Sequence, residues 1–126
     1  MCGIVGYSSV RGRSVDDDEI VVKRMLSEIE YRGPDDRGAI VGNEFALGSV
    51  RLEIVDIAGG TQPLYCPTSG ISIVFNGEIF NYRELREDLI AKGYRFETVS
   101  EIETLKNMFI EFGPAMVERL NGQFAI

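Results

Sequence analysis

A cysteine stands directly behind the initiator methionine, in MCGIVGY, and this is the first feature of the chain that could do chemistry. Cys2 is small enough for methionine aminopeptidase to remove Met1. The mature chain would then carry a free α-amine beside its own thiol. An α-amine titrates near ~7.7 to 8.0, so part of it is neutral at physiological pH and accepts a proton. One residue would supply nucleophile and base together. The chain has no histidine, so neither a Cys-His pair nor a Ser-His-Asp triad can be assembled from it. The alternative use of Cys2 is as a small buried apolar residue, a common fate of free cysteine. Cys66, in a loop before Pro67, reads as structural.

A thiol attacking a carbonyl needs donors for the oxyanion. FNGE at 75–78 offers the Asn76 side-chain amide and the Gly77 backbone N–H at the end of an apolar run. The same Asn-Gly dipeptide is also a common hairpin turn. A zwitterionic amino-acid substrate would need a cation for its carboxylate, for which Arg51 is placed at the end of LGSVRLEIVD, and acids for its ammonium group, for which Glu78 and Glu101 are available. Each of these three also has a plainer reading as a surface or helix-entry charge.

The elements that must position these groups alternate between strand-like and helix-like. CGIVGYS reads as a buried strand. The acidic run DDDE at 16–19 opens a helix whose apolar positions are Ile20, Val21, Met25, Leu26 and Ile29. YRGPDDRG at 31–38 is turn chemistry, and GAIVG with FALGSVRL reads as a hairpin. Asp56 to Gly70 reads as a long irregular segment, a kind usually functional or mobile. ISIVF is a strand, followed by a helix with a capping pattern at Asn81 and Glu84 and an apolar face of Tyr82, Leu85, Leu89 and Ile90. Ser100 and Glu103 form a second capping box ahead of Ile102, Leu105, Met108, Phe109 and Phe112. Gly113-Pro114 ends that helix, a short one runs from Ala115 to Leu120, and QFAI opens a strand.

At 126 residues, with 44% hydrophobic residues, the chain is long enough for a core without disulfides or metals. Thirteen basic against 20 acidic residues give a net charge of −7, which argues against nucleic-acid and anionic-membrane partners. Two cysteines and no histidine exclude a Cys/His zinc site and a disulfide framework, so a reducing cytoplasm is the default compartment.

MCGIVGY, YRGPDDRG, VRLEIVD, QPL, FNGEIFNYRELRE and SEIETL, in this order over essentially the whole chain, resemble the N-terminal glutaminase domain of class II glutamine amidotransferases, nearest the glutamine-hydrolysing asparagine synthetase branch. The resemblance implies an α+β N-terminal-nucleophile hydrolase fold, a four-layer αββα sandwich of two antiparallel sheets. It implies hydrolysis of L-glutamine to glutamate and ammonia through a γ-glutamyl thioester. Cys2 would be nucleophile and base, Asn76 and Gly77 the oxyanion hole, and Arg51 the carboxylate anchor. Glu78 and Glu101 would hold the ammonium group, and backbone near Leu52 and Val55 would line the pocket. No metal or cofactor is expected in this domain. ATP and magnesium would belong to a C-terminal synthetase (ATP-pyrophosphatase) domain that makes asparagine from aspartate and has no counterpart in residues 1–126. That domain and glutamine are the expected partners, and a homodimer is compatible. A degenerate docking module, or an amidotransferase with another carboxylate acceptor, remain the alternatives. The chain departs from the usual pattern at Tyr31 and Ser49, where histidine is usual, and at Glu101, where aspartate is usual. The extra methylene at Glu101 leads us to expect weaker glutamine binding.

Overall fold

The computed structural model describes residues 2–8, 14–52 and 60–126. Strands β1 (Gly3–Ser8), β2 (Asp36–Val41) and β3 (Phe45–Arg51) form an antiparallel sheet in the order β1-β3-β2. The expected hairpin is β2–β3, closed by Gly42 N–H donating to the Phe45 carbonyl at 2.8 Å. Side chains alternate across a strand. Ala46, Gly48 and Val50 therefore share one face of β3, and Leu47, Ser49 and Arg51 the other.

Helix α1 (Val15–Glu28) begins at Ser14, whose hydroxyl accepts from Asp17 N–H at 3.2 Å, with three aspartates in the first turn at the positive end of the helix dipole. Its buried stripe is Asp18, Val22 and Leu26, and Leu26 lies against Gly48 of β3. Of the expected stripe Leu26 is buried and Val21, Met25 and Ile29 are half-buried, while Ile20 is half exposed and the buried centre also takes in Val22 and Asp18. Asp18 accounts for the shift of that centre. The Tyr7 hydroxyl donates to its carboxylate at 2.7 Å, so an acid occupies a position that hydrophobicity alone assigns to the surface.

Residues 60–70 are not irregular throughout. Strands β4 (Leu64–Cys66) and β5 (Ile71–Ile73) pair as an antiparallel hairpin, with Gly70 N–H bonded to the Cys66 carbonyl at 2.8 Å. Three-residue strands are too short to display a period, so the sequence conceals them. The expected strand over ISIVF is shorter than read, since β5 ends at Ile73, and the residues that follow it form a separate strand β6 (Asn76–Ile79) paired with β7 (Gly122–Ala125). Asn76 and Gly77 thus lie within a strand, opposite Ala125 and Phe124, and are not a hairpin turn.

Helices α2 (Tyr82–Ala91) and α3 (Glu101–Phe112) pack over this region, burying Leu85, Leu89, Ile102, Leu105 and Met108 with Ile73, Phe75, Ile79 and Met116. Ile90 faces solvent, leaving Leu85 and Leu89 with Tyr82 as the inner face of α2. Neither expected capping box forms. The Asn81 amide bridges forward in the chain, donating to the Arg119 carbonyl at 3.0 Å and accepting from Asn121 N–H at 2.9 Å. It ties the start of α2 to the 3-10 helix Gly113–Arg119 and to the approach of β7. The Ser100 hydroxyl bonds that of Thr98 at 2.7 Å, while Glu103 reaches back to the N–H groups of Glu97 and Thr98 at 2.9 and 2.7 Å. No helix among the described residues is long and apolar enough to cross a membrane. Among the described residues the architecture is α+β with antiparallel sheets, as expected.

Candidate active site

The register of the first sheet brings Cys2 and Arg51 together. Gly3 pairs with Val50, so the ladder extended by one residue sets Cys2 across from Arg51, and Asp36 faces Arg51 from the other flank. Directly opposed residues share a face. The guanidinium and the Asp36 carboxylate therefore sit at one sheet end, on the face away from α1, and Cys2 adjoins that end directly before β1. Arg51 is 5% exposed, and its Nη1 lies 3.8 Å from the Asp36 carboxylate. A buried guanidinium needs opposite charge nearby, which makes this a suitable counter-ion and also a competitor for a substrate carboxylate.

YRGPDDRG wraps that sheet end. The 3-10 turn Glu30–Arg32 delivers Arg32, whose Nε donates to the Cys2 carbonyl at 3.2 Å. Asp35 N–H donates to the Arg51 carbonyl at 3.1 Å, and Pro34 bridges to Arg51. Between them, Gly33 lies so close to β3 that an added Cβ would stand 2.5 Å from the Arg51 carbonyl carbon. Arg32, Gly33 and Asp36 thus contact this end of the sheet, although their stretch reads in the sequence only as turn chemistry. The signal was the mixing of two arginines with turn formers, since a turn alone needs no cation. Leu52 follows directly and is 36% exposed; Val55 lies outside the described residues.

The second group assembles on β6. Gly77 has φ of +146°, a conformation that residues with side chains rarely adopt, and a Cβ there would collide with the Gln123 carbonyl of β7. Its N–H is thus presented from a strand with no side chain at that position. Asn76 is half-buried, and Glu78 is exposed. Glu101, the first residue of α3, accepts from Ile79 N–H at 3.0 Å. Burial raises the Glu101 carboxyl above its ordinary value; the Ile79 N–H opposes this, and the nearby negative charge of Glu78 adds to it. Two acids of the expected ammonium site are thereby brought close enough to interact.

Two concavities among the described residues stand apart from β6, and the second adjoins the Arg51 end of the sheet. One, of about 280 Å³, runs between α2 and α3 over Leu85, Leu89 and Met108; the other, of about 300 Å³, follows the loop from Glu30 to Arg37. The remaining thiol is not inert. Hydrogen bonds from Ser69 and Thr68 lower the Cys66 pKa to about 7, and its Sγ lies 3.3 Å from Thr68 Oγ1. A thiol reagent aimed at Cys2 is therefore best used with a Cys66 control.

A family model described as a glutamine amidotransferase domain matches residues 1–126. The chain is 38% identical to asparagine synthetase [glutamine-hydrolyzing] 3 of Bacillus subtilis (strain 168) over 99% of its length and 20% of that protein. It is 40% identical to asparagine synthetase [glutamine-hydrolyzing] 1 of the same organism, with the same shares covered. Asparagine synthetase [glutamine-hydrolyzing] 2 of Oryza sativa subsp. japonica is 34% identical over 99% of this chain and 21% of its own length. The chain thus spans about a fifth of the length of the curated relatives it matches. With the whole chain matched by that model, and its motif residues gathered at one sheet end and on β6, the chain belongs to the glutamine amidotransferase domain family.

Proposed function

We propose that this chain hydrolyses L-glutamine to glutamate and ammonia with Cys2 as an N-terminal nucleophile, and that the ammonia serves an ATP- and magnesium-dependent synthetase portion of the asparagine synthetase type. The observation that carries the reading is the β1–β3 register, in which Gly3 pairs with Val50, so that Cys2 directly precedes the strand at the sheet end that carries Arg51. It sets a thiol beside a guanidinium suited to a bidentate grip on an α-carboxylate. Arg51 would anchor the substrate carboxylate, exchanging the Asp36 carboxylate for it, while Glu78 and Glu101 receive the ammonium group. Backbone near Leu52 and Val55 would complete the pocket.

With the substrate so held, the Cys2 sulfur attacks the side-chain amide carbon as the α-amine takes the thiol proton. The oxyanion is met by the Asn76 amide and Gly77 N–H. Collapse breaks the C–N bond, and the α-ammonium passes its proton to the departing nitrogen, releasing ammonia and leaving a γ-glutamyl thioester. Water then attacks the thioester, the amine again takes the proton, and collapse releases glutamate while the proton returns to sulfur. Activity should fall as pH drops through the amine's titration near ~7.7 to 8.0, with no histidine to impose a separate step.

The test is intact-mass analysis before and after exposure to 6-diazo-5-oxo-L-norleucine, using Cys66→Ser as background because of its low thiol pKa. Loss of Met1 and one adduct that disappears in Cys2→Ala is the expected result. A processed protein that takes up no adduct and hydrolyses no glutamine overturns the proposal.

A further inference from the structure

Among the described residues, the ladder that begins directly after Cys2 and carries Arg51 and the ladder carrying Asn76 and Gly77 are separate: β1-β3-β2 and β6-β7 share no strand. A thioester reaction needs both sets held to a fraction of an ångström, so something other than sheet hydrogen bonding must set their relative position. One buried residue touches both regions, through its side chain at the start of β6 and through its backbone at β2. Gln62 is 7% exposed, and its Oε1 accepts from Phe75 N–H at 2.6 Å. Phe75 directly precedes Asn76 and is itself buried in the core beneath α2 and α3.

The backbone of the same residue is seated on the first sheet. Gly38 of β2 approaches the Gln62 carbonyl so closely that a Cβ at position 38 would overlap that oxygen, and it would lie 2.9 Å from Pro63 Cδ. Gly38 pairs with Ser49, two residues before Arg51, so the contact is made on the face of the sheet that carries Arg51. The glycine at 38 is what allows the segment to lie flat there.

We propose that Gln62 is a positioning residue for glutamine hydrolysis: its side chain fixes the start of the oxyanion strand while its backbone, resting on Gly38, fixes that side chain relative to the nucleophile's sheet. The inference rests on the glutaminase reading above. The donors of an oxyanion hole act on charge that exists only in the transition state. Loosening the bridge therefore lowers kcat per folded molecule and leaves KM nearly unchanged, whereas simple loss of fold stability lowers the folded fraction and leaves kcat per folded molecule unchanged.

The experiment is steady-state glutaminase kinetics on the intact protein with Gln62→Met, which keeps the length and removes the acceptor, and Gln62→Glu, which keeps an acceptor oxygen. Gln62→Met is expected to lower kcat by about 10- to 100-fold at nearly constant KM. Gln62→Glu should recover most of that loss. Gly38→Ala, which displaces the same segment, should give the same kinetic signature, and the Gly38→Ala/Gln62→Met pair should be no slower than the worse single change. Unchanged kcat per folded molecule in Gln62→Met, failed rescue, or fully additive effects would overturn the bridge while leaving the nucleophile assignment intact. If Gln62→Met does not fold, Gly38→Ala carries the kinetic test alone. If the wild-type protein hydrolyses no glutamine, the functional reading fails, and the bridge is judged by hydrogen exchange. It predicts faster exchange at Phe75 and along β6 in Gln62→Met, restored in Gln62→Glu; a change limited to Phe75 would refute it.

Discussion

Replacing Gly33 with alanine tests the claim that YRGPDDRG holds the end of β3 in place. An alanine Cβ would lie 2.5 Å from the Arg51 carbonyl carbon and 2.6 Å from the Arg51 nitrogen, where ordinary van der Waals contact begins at 3.4 Å, so the shortfall is about 0.9 Å. All the atoms concerned are backbone, and none belongs to a side chain that could rotate away. The glycine's φ of −158° is extended and open to any residue, so the effect is one of space alone. Either the loop or β3 must move by close to that shortfall. Overpacking of this kind costs about 1 to 3 kcal/mol, which corresponds to a melting-temperature loss of roughly 4 to 12 °C for a domain of this size. Because Arg51 is the strand residue displaced, kcat/KM for glutamine should fall about 10- to 100-fold, the worth of one charge-assisted hydrogen bond. Differential scanning fluorimetry and a coupled glutamate assay read the two quantities. Gly42→Ala is the control: the three atoms nearest its Cβ all belong to the Phe45 ring, a side chain able to move, so kinetics should be unaffected. A Gly33→Ala protein with wild-type melting temperature and kcat/KM would refute the reasoning.

Glu101 and Glu103 should respond to pH in opposite directions. Burial and the neighbouring Glu78 raise the Glu101 carboxyl above its ordinary 4.5 despite the Ile79 N–H, so its contribution to stability is fully present below about 4.5 and is lost as pH rises through the raised value. Glu101→Gln should therefore gain stability relative to wild type at neutral pH, with the gain vanishing near pH 4 in paired thermal melts, while KM for glutamine rises. For Glu103, burial would raise the carboxyl, but bonds from the Thr98 hydroxyl and the Glu97 and Thr98 N–H groups, with Lys106 nearby, hold it below 4.5; that stability is present above about 4.5 and lost as pH falls through the lowered value. Glu103→Ala should cost about 2 to 4 kcal/mol at pH 7 in urea unfolding and lose most of that cost in acid. Asn81→Ala removes both bonds to the approach of β7 and should destabilise by about 1 to 2 kcal/mol, with faster hydrogen exchange over residues 120–125. Ser49 is fully buried with no hydrogen-bond partner for its hydroxyl among the described residues, so Ser49→Ala should be neutral or stabilising by up to about 1 kcal/mol; a large loss would reveal a partner.

The sequence by itself determined the helices, the β2–β3 hairpin and the family, because those rest on local signals: acidic first turns, apolar spacing, and motifs whose residue types are tied to one chemistry. It also named Cys2, Arg51, Asn76, Gly77, Glu78 and Glu101 as the candidate site. What it could not reveal was pairing. Whether Asn76-Gly77 turned a hairpin or lay in a strand depended on β7, more than 40 residues away, and local composition carries no trace of that partner. The phase of α1 depended on Tyr7 supplying a hydrogen bond to Asp18, and the capping residues Asn81 and Ser100 were drawn to partners outside their own helices. The roles of Gly33, Gly38 and Gln62 exist only where one segment crosses another at close range. Local physical chemistry selects the elements, while the hydrogen bonds and close approaches that align a nucleophile with its oxyanion donors are made between elements distant in the chain, and only the tertiary structure decided them.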